Sequence, residues 1–290
     1  MFEGVHTALV TPFRDGAVDE PALRGLIERQ IEAGVDGVVP CGSTGESATL
    51  SHQEHRRVVE VVVEAVAGRV KVIAGTGSNN TREAVELTRH AREAGADGAL
   101  LISPYYNKPT QEGIFAHYET VARESGLPLV VYNIPGRTGS NILPATLGRL
   151  ALVDGIVGVK EACGDIAQIA EVIAACPEEF AVLSGDDALT LPLCAIGGKG
   201  VISTSSNVVP VEMAALVRAV AAGELAEARR IHYRLLPLFD ALFCETNPIP
   251  VKSAVAMLGL AGDELRLPLT PLGDANRERL QVVLKELELI

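Results

Sequence analysis

Tryptophan is absent from this chain, aromatic residues make up only 4% of it, and lysine occurs six times in 290 residues. Basic residues number 25 against 37 acidic ones, for a net charge of −12. Binding to nucleic acid or to an anionic membrane needs a basic face, so neither is an expected partner. No apolar run reaches the roughly 18 residues of a membrane span. The opening MFEGVHTALV lacks the basic start and apolar stretch of a secretory leader, which makes the cytoplasm the expected compartment. Cys41, Cys163, Cys176, Cys194 and Cys244 include no CxxC pair, and their odd number reads as buried free thiols. Nucleotide and hydrolase signatures are also missing. GTGSNN (75–80) lacks the third glycine of GxGxxG, and neither GxxxxGK[ST] nor GxSxG occurs. His52 and His55 make an HxxH pair with no HExxH frame and no third ligand nearby, so no metal is expected.

What is present is a globular chain, 48% hydrophobic and 21% charged, long enough to bury roughly three quarters of its unfolded surface. Apolar runs at 5–12, 37–42, 70–77, 98–105, 128–135, 156–162, 180–186 and 200–206 are continuous rather than alternating. Parallel strands covered on both faces read this way. Helical patterns lie between them. Asp19 caps 20–33, Ser51 and Glu54 form a capping box, and Thr81 opens 82–94. Thr110 caps 111–125, Asp165 caps 166–175, and Pro210 stands at a helix first turn. Eight β-then-α units predict a (β/α)8 TIM barrel of the α/β class over 1–223, with a doubly wound open sheet as the alternative. Residues 224–290 carry no strand pattern. They predict a C-terminal three-helix extension, with helices at 224–244, 249–259 and 274–288.

Active sites of such barrels sit at the C-terminal strand ends. Lys160 ends the apolar run Ile156-Val157-Gly158-Val159. Lysine is rarely buried without a partner, so it is either an ion-paired structural residue or a nucleophile whose amine is freed by desolvation. Tyr132 ends the neighbouring run and could move protons for an imine-forming lysine, or simply pack. Ser43 and Thr44 lie between glycines, where exposed backbone N–H groups can hold a carboxylate. Arg137 offers a planar fork to a second carboxylate, or is an ordinary loop arginine.

The segments GSTGESATL (42–50), PYYNKPTQEG (104–113), VVYNIPGRTG (130–139), GVKEA (158–162), LSGDD (183–187) and NPIPVK (247–252) together resemble the dihydrodipicolinate synthase family. That family lies within the N-acetylneuraminate lyase superfamily of class I aldolases, and the resemblance spans the whole chain. It implies condensation of pyruvate with L-aspartate 4-semialdehyde through a lysine Schiff base, on the way to diaminopimelate and lysine. No cofactor is implied, because the imine is the electron sink. Lys160 matches the Schiff-base lysine, Tyr132 the acid/base tyrosine, and Ser43 and Tyr106 the rest of a proton relay. Tyr106 matches the tyrosine that reaches a neighbouring subunit. Thr44, Arg137, Gly185 and Ile202 match substrate-binding positions. Ser43 is a departure, since many members carry threonine there; the hydroxyl survives, with a less fixed rotamer.

The resemblance also implies feedback inhibition by L-lysine, bound by Ser47, Ala48, His52, His55, Asn79, Glu83 and Tyr105 at a dimer interface. The implied assembly is a homo-oligomer, a tetramer built as a dimer of dimers. Sugar-acid and N-acetylneuraminate lyases of the superfamily would form the same imine, but generally lack an arginine at the position of Arg137. A non-catalytic barrel binding a keto acid is the alternative of another class, although it would need no buried nucleophile.

Overall fold

The computed structural model describes residues 2–290. Ten strands form: β1 (Gly4–Ala8), β2 (Phe13–Arg14), β3 (Ala17–Val18), β4 (Gly37–Val39), β5 (Lys71–Gly75), β6 (Gly98–Ile102), β7 (Leu129–Asn133), β8 (Ile156–Glu161), β9 (Ala181–Ser184) and β10 (Gly200–Ser203). All but β2 and β3 close into one parallel barrel, in which β1 pairs with both β4 and β10. The closed barrel expected from the alternation is therefore what forms, and the open sheet is not. Each strand is shorter than its apolar run. The remainder, such as Pro40-Cys41-Gly42, carries the chain over the barrel mouth.

The helices are α1 (Glu20–Glu32), α2 (His52–Val66), α3 (Thr81–Ala94), α4 (Gln111–Ser125), α5 (Pro135–Thr138) and α6 (Pro144–Leu150). They continue as α7 (Ile166–Ala175), α8 (Thr190–Ala195), α9 (Pro210–Ala221), α10 (Leu225–Ala241), α11 (Ile249–Met257) and α12 (Asp274–Glu286). The Ser51–Glu54 capping box is complete, and Asp19, Thr110 and Asp165 accept the expected backbone N–H groups. One cap differs. Asn80, not Thr81, accepts from Arg82 N at the start of α3, because Thr81 is already helical and turns its hydroxyl to His117. The hairpin β2–β3 was not signalled, since two-residue strands have no period to detect. Helices α6 and α8, of seven and six residues, are short and lack a side-chain cap.

The barrel interior is filled by Phe2, Ala8, Val39, Ile73, Leu100, Val130, Tyr132, Leu183 and Ile202. A larger apolar core lies between strands and surrounding helices. Leu235 and Leu238 of α10, Val251 and Val255 of α11, and Leu280 and Leu284 of α12 share a third core with Val5, Val201 and Met213. The last three helices thus pack on the β1/β10 side of the barrel, and the segment just before α11 reaches the mouth with Thr246, Asn247 and Pro248. Of the cysteines only Cys41 is buried; the other four are half-buried free thiols, because they sit at helix ends and in loops. Among the described residues no helix is long and apolar enough to cross a membrane.

Candidate active site

Lys160 lies in register with Tyr132 on one side and Leu183 on the other. Side chains alternate along a strand, so this register aims Lys160 and Tyr132 into the barrel together. The Lys160 Nζ stands 4.4 Å from the centre of the Tyr132 ring. Both residues are buried. Burial pushes the ammonium down from 10.5 to about 8, opposed by the Asp187 charge and assisted by Arg137. Burial pushes the Tyr132 phenol the other way, to about 12. At neutral pH the pair is therefore an amine that loses its proton readily and a phenol that keeps its own.

Glycine at 185 makes room for this lysine. A Cβ there would come within 2.8 Å of the Ala162 Cβ and 3.0 Å of the Lys160 Cε. A recess of about 40 Å³ opens beside Lys160, lined among others by Ser43, Thr44, Tyr132, Arg137, Gly185 and Asn247. Six expected residues, Lys160, Tyr132, Ser43, Thr44, Arg137 and Gly185, thus meet at one place. Ile202 does not line the recess; it is fully buried in the barrel interior near Tyr132. Tyr106 does not reach the recess either. It is 88% exposed, with a left-handed backbone at φ 70°.

The Ser43-Thr44 turn is built from local hydrogen bonds. Gly45 N and Ser47 N both donate to the Gly42 carbonyl, and Glu46 N donates to the Ser43 carbonyl at 3.2 Å. Thr44 is buried, and its Oγ1 accepts from Asn247 Nδ2 at 2.9 Å. The Asn247 carbonyl in turn accepts from Arg137 Nη2 at 2.9 Å. Asn247 therefore spans two expected substrate-binding side chains. Asp187 is fully buried, and its Oδ2 accepts from Thr204 N, Ser205 N and Ser205 Oγ. Neither Asn247 nor Asp187 was singled out from sequence. Their only signal was membership in the NPIPVK and LSGDD segments.

A cavity of about 460 Å³ shares Ser43, Tyr132, Arg137 and Asn247 with the recess and runs outward to a second cluster. Ser47, Ala48, His52, His55, Glu83 and Tyr105 line its far end. His52 Nε2 lies 2.9 Å from Glu83 Oε1, and Ser78 Oγ donates to the other Glu83 oxygen. His55 is buried with Nε2 against the Gly75 carbonyl at 2.8 Å. Asn79 lies outside the cavity lining. It donates to the Tyr105 carbonyl at 3.1 Å, tying the two loops together.

A family model described as the dihydrodipicolinate synthetase family matches residues 1–287. The chain belongs to the dihydrodipicolinate synthetase family. A 4-hydroxy-tetrahydrodipicolinate synthase of Syntrophus aciditrophicus (strain SB) is 57% identical over 290 residues, covering 100% of both chains. Two similar solved structures carry ligands. The dihydrodipicolinate synthase of Acinetobacter baumannii, chloride inhibited and complexed with pyruvate, is 43% identical with a TM-score of 0.98, covering 100% of each chain. The enzyme of Cyanidioschyzon merolae with lysine bound is 44% identical with a TM-score of 0.97, covering 100% of this chain and 99% of that one. As a dihydrodipicolinate synthetase family member, the chain is a lyase-type enzyme.

Proposed function

We propose that this chain condenses pyruvate with L-aspartate 4-semialdehyde to 4-hydroxy-tetrahydrodipicolinate, the first committed step toward diaminopimelate and lysine, through an imine on Lys160. The observation that carries this reading is a buried lysine, its ammonium displaced to about 8, facing the Tyr132 ring in a recess shared with two hydroxyls and a guanidinium. The Lys160 amine attacks the keto carbon of pyruvate, and one water leaves as the imine forms. Loss of a methyl proton gives the enamine. Its carbon attacks the aldehyde, and the amino group of the second substrate then displaces Lys160 and closes the ring. Tyr132 and Ser43 move the protons. Thr44, with the Ser43 turn, holds the pyruvate carboxylate, and Arg137 holds that of the semialdehyde. Gly185 leaves the space in which the imine sits, and Ile202 packs in the barrel interior with Tyr132 without lining that space.

Tyr106 serves the site of a second copy. Its exposure, 88%, and its left-handed backbone support this, because the loop holds the ring away from its own chain where a second copy could meet it. The assembly is a homotetramer, a dimer of such dimers. L-Lysine binds the second cluster as a feedback inhibitor, with Glu83 receiving the side-chain ammonium, Tyr105 the carboxylate, Ser47, Ala48, His52 and His55 forming the wall, and Asn79 holding the Tyr105 loop from outside the cavity. The cavity shared with the recess supports this reading.

The test is a covalent trap. Incubation with pyruvate and borohydride should add one reduced pyruvyl group to Lys160, located by peptide mass spectrometry. Labelling of another lysine, or undiminished labelling of Lys160→Ala, refutes the mechanism.

A further inference from the structure

The GSTGE turn ends on a residue that the chemistry above does not use. Glu46 has a left-handed backbone, φ 53° and ψ 36°, a conformation that strains a residue with a side chain. Its carboxylate is buried, with side-chain exposures of 0% for Glu46 and 1% for Lys252, the cation it meets. Lys252 Nζ donates to Glu46 Oε1 at 2.6 Å and to the Glu264 carbonyl at 2.5 Å, and lies 4.3 Å from the Phe13 ring centre. Glu46 Oε2 accepts from Arg266 N. The Arg266 guanidinium covers the same Phe13 ring and reaches Thr49 O and Glu54. A buried ion pair is weak evidence of a role in fold stability. Desolvation of two ions consumes most of their attraction, and packed apolar residues of similar size often serve as well or better.

The location suggests what the pair does instead. Glu46 N donates to the carbonyl of Ser43, so the strained residue and the hydroxyl turn are one hydrogen-bonded unit. Lys252 lies on α11, five residues after Asn247, whose side chain holds the Thr44 hydroxyl. Helix α11 and the segment just before it therefore grip this turn at both ends. We propose that Lys252, with Glu46 and Arg266, is a positioning clamp that sets the Ser43 and Thr44 hydroxyls against pyruvate. It rests on the roles proposed for Ser43 and Thr44. The clamp touches no substrate. Lys252 and Glu46 act through the backbone of the turn, and a displacement of about 1 Å at a reacting group can cost 10²-fold in rate.

The experiment compares wild type, Lys252→Met and the double variant Glu46→Gln/Lys252→Met. Each is assayed for kcat, both Michaelis constants, unfolding midpoint and borohydride trapping. Lys252→Met leaves a buried carboxylate unpaired and should lower the midpoint, whereas the double variant buries no charge and should recover it. If the clamp positions the turn, kcat falls about 10- to 100-fold in both variants. The Michaelis constant for pyruvate rises in both, and that for the semialdehyde, held by Arg137, changes less than about twofold. Should Lys252→Met fail to fold, the double variant carries the comparison alone. Wild-type kinetics in a stable double variant overturn the clamp, as does an equal rise of both Michaelis constants. Loss of Lys160 labelling in wild type would instead refute the proposed function, so the two failures are distinguishable.

Discussion

Lys160→Met should destroy the activity and make the protein more stable. The lysine is buried, and its ammonium is displaced from 10.5 to about 8. That displacement corresponds to a folding cost of about 3 kcal/mol whenever the unfolded lysine is charged and the native one must either lose its proton or bury its charge. The attraction of Asp187 is already inside this figure, because the value near 8 is reached in its presence. Methionine fills nearly the same volume without a charge. The sign follows from the protons bound. Below about pH 8 both states carry the proton and the full cost applies. Between 8 and 10.5 the unfolded lysine holds a proton that the native one has lost, so wild-type stability rises with pH. Above 10.5 both are neutral and the cost is gone. Urea unfolding at about pH 7 should therefore give Lys160→Met an advantage of up to about 3 kcal/mol, shrinking steadily toward about pH 10. A methionine variant less stable than wild type at neutral pH, or one whose advantage grows with pH, would refute the desolvated lysine and with it the argument for a free amine.

Two further outcomes are expected. Arg137→Ala should raise the Michaelis constant for semialdehyde far more than that for pyruvate, by roughly 10- to 100-fold if one charge-assisted pair is lost; equal effects on both would remove Arg137 from its proposed role. L-Lysine titrated into the assay should inhibit in the micromolar to millimolar range, and Glu83→Ala should abolish this while leaving turnover intact. Full wild-type activity in tens of millimolar L-lysine would show that the second cluster is no regulatory site.

Much of this architecture was legible because it rests on local chemistry. Continuous apolar runs marked the eight barrel strands, since a strand covered on both faces has no polar side to show. Lys160 stood out for the same reason, as a lone cation at the end of such a run. The hidden parts depend on contacts between distant residues. Asn247 meets Thr44 across 203 positions, and Lys252 meets Glu46 across 206. No local pattern encodes either contact. Asn80 took the cap expected of Thr81 because a choice between adjacent capping residues is settled by what else each can bond, here His117. Tyr106 matched a relay position yet stands in solvent, away from the recess, because a family motif carries no information on where a loop side chain points.

The residues that follow the reactive pair explain how its register is held. Tyr132 pairs with Lys160 inside the barrel, and Asn133 pairs with Glu161 on the outer face of the same two strands. Asn133 Nδ2 donates to Glu161 at 2.9 Å and to Asn141 Oδ1 at 2.9 Å, and Cys163 N donates to Glu161 as well. Burial raises the affinity of Glu161 for its proton, and these donors oppose that shift. Because side chains alternate along a strand, slipping β8 by one residue would send Lys160 outward and Glu161 into the barrel. It would also strip both carboxylate oxygens of their donors, and a buried polar group left without partners costs more than an ordinary lost hydrogen bond. The outer polar network touches no part of the recess, yet it makes the wrong register expensive and so keeps the lysine facing its tyrosine.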